Sequence, residues 1–102
     1  MEAFSALADD TRLEIVEALA KRERSVGDLV SLFDLSQPAI SQHLRVLRDA
    51  GLVRVRPDAQ RRIYSIDPKG LRQIDSWLNR YRKLWARRFD RLEQHMDEED
   101  VP

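Results

Sequence analysis

The sequence predicts a mainly helical fold with one small β-hairpin, a winged helix-turn-helix whose N- and C-terminal helices form a dimer interface. Three observations lead to this prediction. Two amphipathic segments flank a short polar turn, a stretch rich in β-forming residues follows them, and a long segment with a bulky apolar stripe comes last. A chain of 102 residues without a break in composition is expected to form a single domain, residues 1–102.

The composition excludes several classes of protein. The chain has no cysteine, which excludes disulfides, thiolate metal sites and cysteine nucleophiles. No apolar run has the length of a membrane span and no signal peptide is visible, so a cytoplasmic protein is expected. No glycine-rich phosphate loop or nucleophile motif is present, and we expect no enzymatic activity.

The overall net charge of zero hides an asymmetry along the chain. Residues 1–36 carry a net charge of −4, residues 37–93 one of +8, and residues 94–102 one of −4. A basic block of this size is typical of a surface that binds a polyanion such as nucleic acid. Charge alone leaves open the alternative of a solvated surface on arginine-rich helices.

Two helical segments are predicted before the central turn. A short helical turn that buries Phe4 and Leu7 is expected first. A helix from Asp9 to Lys21 follows, with Asp9 or Asp10 as its N-cap. The apolar positions at helical spacing in this helix are Leu13, Val16 and Ala20, with Leu19 beside them.

Two helices joined by a short turn come next. The first is predicted over Val26–Phe33 behind a capping Ser25, and the second over Gln37–Ala50 behind a capping Ser36. The second helix ends at Gly51, which can adopt the left-handed conformation of a helix terminus. Its apolar stripe consists of Ile40, Leu44 and Leu47.

The polar side of the second helix has the residue types expected of a DNA-recognition helix. Its first turns carry glutamine and serine side chains, which can pair with base edges. Arginines follow one turn later, where DNA phosphates would lie. This polar side consists of Gln37, Ser41, Gln42, Arg45 and Arg48. An ordinary amphipathic helix is the alternative explanation of the same pattern.

A β-hairpin after this helix favours a winged fold, with the wing over residues 52–67. Strands are predicted over Leu52–Arg56 and Arg62–Ile66, with Pro57–Gln60 as the turn. The arginines on or beside this hairpin are Arg54, Arg56, Arg61 and Arg62. We expect them either to reach phosphates or a minor groove, or to keep an edge strand soluble.

The remaining residues, about 69–98, are predicted to form one long helix with a nearly heptad apolar stripe. Leu71 and Ile74 are expected to pack on the core of their own chain. The other bulky side chains are too many for so small a chain to cover, so we expect a second copy to pack against them. The expected dimer contacts are Phe4, Leu7, Trp77, Leu78, Tyr81, Trp85, Phe89 and Leu92. The aromatic side chains could instead line a ligand cavity.

Two segments of the sequence resemble the ArsR/SmtB family of regulators. The segment LADDTRLEIVEAL (residues 7–19) is similar to the opening of those proteins, and SQPAISQHLRVLRDAGLV (residues 36–53) is similar to their helix-turn-helix. The resemblance covers about residues 3–67. It implies a homodimeric winged-helix protein that binds a double-stranded operator near its own promoter, usually as a repressor.

The resemblance also implies roles for individual residues. Base reading is implied for Gln37, Ser41 and Gln42, whereas His43 either contacts the DNA backbone or braces the helix against the core. The full set of expected DNA-binding residues is Gln37, Ala39, Ser41, Gln42, His43, Arg45, Arg48, Arg61 and Arg62.

Metal-sensing members of this family carry ligands that this chain lacks. Residues 25–28 are Ser-Val-Gly-Asp where those members have Cys-x-Cys-Asp, and Arg88 and Arg91 stand where His and carboxylate ligands would be needed. We therefore expect no metal and no cofactor, and the remaining possibilities are an unidentified small molecule at the dimer interface, a protein effector, or no inducer at all. The alternative function is a protein-interaction module that uses the aromatic C-terminal helix.

Overall fold

The computed structural model describes residues 2–99, and the side chains of residues 2–93. The described part contains five helices and three short strands. The helices are α1 (Glu2–Leu7), α2 (Asp10–Lys21), α3 (Val26–Phe33), α4 (Gln37–Asp49) and α5 (Pro68–Glu99), and the strands are β1 (Arg24–Ser25), β2 (Val53–Asp58) and β3 (Arg61–Ile66). The predicted winged, mainly helical fold is confirmed.

The core lies between α2, α3, α4 and the sheet. Its large fully buried side chains are Ile15, Leu29, Ile40, Leu44, Leu47, Leu52 and Val53. The predicted apolar stripe of α4 is therefore confirmed. The stripe predicted for α2 is only partly right: Val16 and the adjacent Leu19 are buried, but Leu13 is 40% exposed and Ala20 is also exposed. Leu13 and Ala20 are seven positions apart and Ile15 and Leu19 are four apart, so either pair can lie on one side of a helix. In α2, Ile15 and Leu19 are the pair that faces inward, toward α4 and β3.

The prediction that α1 buries Phe4 is also wrong. This helix packs closely against its neighbours through the small residues Ala3 and Ala6, and Leu7 is half-buried. Phe4 is 38% exposed, and its ring meets the ring of Trp77 edge to face, with centroids 5.3 Å apart. Because Ala3 and Ala6 are small, α1 can pack closely against its neighbours through them, and the ring of Phe4 stays at the surface.

The three strands form one antiparallel sheet in the order β1-β3-β2. The hairpin turn is shorter than predicted, because Pro57 pairs with Arg62 and Asp58 pairs with Arg61. Only residues 59 and 60 remain in the turn. An edge strand such as β2 can accommodate a proline, which has no N–H to donate to a neighbour. The two-residue strand β1 was not predicted, since it is too short for a periodic signal.

The start of α5 is held tightly against the end of α4. Gly51 adopts the predicted left-handed conformation, with φ +73°. Its carbonyl oxygen accepts a 2.8 Å hydrogen bond from the N–H of Gly70. Ile74 packs against the core as predicted, but Leu71 is exposed, because it lies on the side of α5 that turns away from the domain. Beyond this junction, every side chain from 78 to 93 is exposed.

Candidate nucleic-acid interface

Side chains at the helix termini set the geometry of the two helices α3 and α4. The Ser25 hydroxyl accepts a hydrogen bond from the N–H of Asp28 at 3.1 Å, and Asp28 Oδ2 accepts one from the N–H of Ser25 at 2.9 Å. The Ser36 hydroxyl accepts one from the N–H of Ala39 at 3.2 Å. Asp34 ends α3 in the left-handed conformation, with φ 52°. These caps fix where each helix begins, and both predicted N-caps are confirmed.

One side of α4 and the wing together line a groove of about 660 Å³. The residues that line it are Val26, Gln37, Ser41, Arg45, Arg48, Asp49, Arg62 and Tyr64. The four predicted residues that α4 contributes follow helical spacing and are all exposed. The groove has amide and hydroxyl groups near the start of α4 and guanidinium groups toward its end. This combination can hydrogen-bond bases and neutralise phosphates.

The other residues predicted on α4 lie outside this groove. Gln42 is exposed on the adjoining side of the helix, and Ala39 is half-buried. His43 is half-buried, and its Nδ1 atom is buried without a hydrogen-bond partner among the described residues. The N–H of Arg12 holds the pKa of Asp9 below its ordinary value, and the nearby His43 contributes to the same shift. His43 thus lies near Asp9, at the start of α2.

Two of the four wing arginines pair with acidic residues that precede them in the chain. Arg61 Nη2 lies 3.3 Å from Asp28 Oδ2, and Arg56 Nη2 lies 2.6 Å from Glu23 Oε1. The N–H of Ser25, its hydroxyl and the charge of Arg61 all lower the pKa of Asp28. Exposed ion pairs of this kind stabilise a fold little, but they orient the side chains involved.

Tyr64 and Asp49 line the groove, and Asp28 pairs with Arg61 of the wing, although none of the three is among the expected DNA-binding residues. Asp28 links the start of α3 to the wing although 33 positions separate it from Arg61 in the chain. Residues this far apart show no periodic relation, so no local pattern could have identified the pair. Tyr64 lies on β3 and is buried at one side of the groove.

A second exposed surface lies on α5 and α1. The rings of Trp77 and Tyr81 have centroids 4.9 Å apart, and Phe4 meets Trp77 as described above. Farther along the helix, Trp85 is 51% exposed and Phe89 57% exposed. An open apolar cavity of about 470 Å³ follows this face, lined by Trp77, Leu78, Tyr81, Arg82, Trp85, Ala86 and Phe89. All of these residues belong to one helix, so the chain alone does not enclose the cavity.

In residues 2–93, we find no group of three or more His, Asp or Glu side chains arranged to hold a metal ion. None of the described helices combines the length and the hydropathy needed to cross a membrane.

Comparison with known proteins identifies close sequence relatives. Residues 9–55 match the model of a family described as bacterial regulatory protein, arsR family. The HTH-type transcriptional regulator Rv2034 of Mycobacterium tuberculosis is 44% identical over 97 residues, which cover 95% of this chain and 88% of that protein. The transcriptional activator HlyU of Vibrio cholerae is 41% identical over 77 residues, covering 76% of this chain and 71% of that protein.

Solved structures match the fold as well. An ArsR-like transcriptional regulator from Rhodococcus sp. RHA1 superposes with a TM-score of 0.77 at 29% identity, covering 95% of this chain and 89% of the other. The structure of M. tuberculosis Rv0081 gives a TM-score of 0.63 at 42% identity, covering 89% and 90% of the two chains.

Proposed function

Because this chain belongs to the ArsR family and is a DNA-binding transcriptional regulator, we propose that it acts as a homodimeric repressor of an inverted-repeat operator. The observation that carries the proposal is the groove between α4 and the wing, in which bases and phosphates can be bound together. The operator lies near the protein's own promoter. The wing, residues 54–62, lies beside one strand of the duplex.

We assign base reading to the first turns of α4. Gln37 can pair with adenine through its amide, and Ser41 can donate to or accept from a base edge. Gln42, exposed on the adjoining side, reaches the same major groove. Arg45 and Arg48 lie farther along the helix and bind phosphates, as Arg62 does from the wing.

Dimerisation uses the exposed apolar face of α5 together with Phe4 and Leu7 of α1. Side chains as large as Trp85 and Phe89 are seldom left open to water in a patch of this extent, and a second copy would cover them. A two-fold dimer places two α4 helices about 34 Å apart, in successive major grooves. The operator is then an inverted repeat with matching spacing.

The signal that releases DNA is not a metal bound at the known family sites. Residues 25–28 have no thiolate, and Arg61 occupies the space beside Asp28 with a positive charge of its own. An apolar small molecule held between the two α5 helices, or a protein effector, is compatible with the open face of α5.

The test is a titration of the promoter region at several salt concentrations against random competitor DNA. Ser41→Ala/Gln42→Ala should weaken specific binding at least about tenfold, because good base contacts contribute about 1–3 kcal/mol each. Gln73→Ala/Ser76→Ala removes the same side-chain types from an exposed part of α5 and should bind like wild type. Equal affinity for the promoter in all three proteins would refute the base-reading assignment.

The exposed aromatic face of α5 favours one other function, a protein-interaction module. Its signature would be weak DNA binding with little salt dependence, because phosphate contacts necessarily produce a salt slope.

A further inference from the structure

The α5 helix carries a second exposed surface, on a different side from the Trp77, Tyr81, Trp85 and Phe89 side chains. Arg80, Lys83, Arg87 and Arg91 are three or four positions apart, so they lie along one side of the helix. We call this side the basic stripe. All four residues are exposed. With a helical rise of about 1.5 Å per residue, the stripe is about 16 Å long.

The charge of the basic stripe is not balanced by the residues around it. Residues 79–93 contain six Lys and Arg but only two acidic residues, Asp90 and Glu93. Among the side chains that the structure describes, none of the four basic residues forms an ion pair. Arg80 lies 6.0 Å from the ring centroid of Tyr81, at the border with the apolar face. The stripe therefore presents concentrated positive charge to solvent.

The proposed dimer and operator contacts leave this stripe unused. Dimerisation would cover the side of α5 that carries the aromatic residues, so the stripe would still face outward. The groove for the operator is lined by residues of α3, α4 and β3, and no described residue of α5 is among them. The stripe is therefore free to contact a separate anionic partner.

We propose that the basic stripe binds the phosphate backbone of a second DNA duplex, without reading its sequence. Duplex DNA presents one phosphate about every 3.4 Å along each strand, so a 16 Å line of cations spans about five phosphates. Leu84, which is four positions from Arg80 and three from Arg87, is the large apolar side chain on this side of the helix, whereas protein interfaces are built around an apolar core of several residues. A regulator bound to its operator can thereby hold a second DNA segment.

The experiment uses full-length protein bound at saturation to an immobilised promoter fragment. A labelled random-sequence duplex of 30 base pairs is then added at low salt, and its capture is measured. Wild type should capture the second duplex, and capture should fall steeply as salt is raised. Lys83→Gln/Arg87→Gln should reduce capture at least about tenfold, since each lost phosphate contact removes a counterion-release contribution.

The matched control is Lys21→Gln/Arg22→Gln, which removes the same charge from exposed positions at the end of α2. It should capture the second duplex like wild type. Promoter binding by the stripe variant, measured with a fragment no longer than the operator, should be unchanged. Failure of the operator proposal would instead appear as promoter binding no tighter than binding to random DNA, in every variant.

Three results would overturn the proposal. One is the absence of capture by wild type, which would point to an acidic protein surface as the partner of the stripe. Another is equal loss of capture in the stripe and control variants, which would make the effect one of net charge. The third is a stripe variant that binds long promoter fragments less tightly than wild type without any change in capture, which would assign the stripe to flanking DNA.

Discussion

Replacement of Gly70 by alanine tests the contact that sets the direction of α5. A Cβ atom at this position would lie 2.7 Å from the Gly51 carbonyl oxygen and 2.8 Å from Leu52 Cδ2. Because the nearest atom belongs to the backbone, α5 would have to move. Overpacking of this kind costs about 1–3 kcal/mol. Loss of the Gly70–Gly51 hydrogen bond would add about 1 kcal/mol, and the higher helix propensity of alanine would offset about 1 kcal/mol at most.

The expected net effect of Gly70→Ala is a loss of about 2 kcal/mol in the free energy of unfolding. For a domain of this size, that corresponds to a fall in Tm of roughly 8–16 °C. Urea and thermal unfolding, measured by circular dichroism at one fixed protein concentration, would detect it. Gly27→Ala is the matched control, because its Cβ would meet only Ser25 Oγ, at 3.8 Å. If both variants unfolded at the same point, the steric argument would be refuted.

Three further predictions concern the proposed dimer and the DNA surface. Trp85→Ala/Phe89→Ala should yield folded monomers in sedimentation equilibrium, because both side chains are exposed within one chain; dimers of wild-type stability would contradict the α5 interface. Asp28→Asn should lower Tm at neutral pH, because the fold lowers the pKa of Asp28 and so favours its charged form. The difference in Tm between variant and wild type should shrink as the pH falls through and below 3.8, the ordinary pKa of this carboxyl, because the wild-type carboxylate then becomes protonated. A difference in Tm between this variant and wild type that grew as the pH fell would contradict the prediction. Arg45→Gln should reduce the salt slope of promoter binding by about 0.9, and an unchanged slope would exclude a phosphate contact there.

The recognition helix could be predicted closely because its signals are local. Ser36, the stripe at Ile40 and Leu44, and the terminal Gly51 all lie within a few turns of one another, and each acts on the backbone beside it. The polar face follows from the same periodicity. The structure therefore agrees with the sequence on the cap, the buried stripe and four groove residues of α4, whereas Ala39, Gln42 and His43 lie outside the groove.

The predictions fail where the decision depends on distant parts of the chain. In α2, Leu13 and Ile15 belong to alternative apolar stripes, and only the position of the sheet selects between them. The approach of Gly70 to Gly51 and the ion pair between Asp28 and Arg61 likewise join separate elements. These contacts have no local signature. The Gly70–Gly51 hydrogen bond holds the start of α5 against the end of α4, and the Asp28–Arg61 pair orients a side chain of the wing.

The basic block of residues 37–93 is another feature whose place in the fold cannot be predicted from the sequence. Its net charge of +8 predicts affinity for a polyanion, but net charge does not show on which surface of the fold the basic side chains lie. Once α5 is known to be one continuous helix with an exposed apolar side, the arginines of α4 and of α5 separate into two surfaces. Lys83 and Arg87 cannot share the groove that Arg45 and Arg62 line. The charge that first indicates one DNA-binding surface is therefore divided between the operator groove and the basic stripe, for which we propose a second duplex as partner.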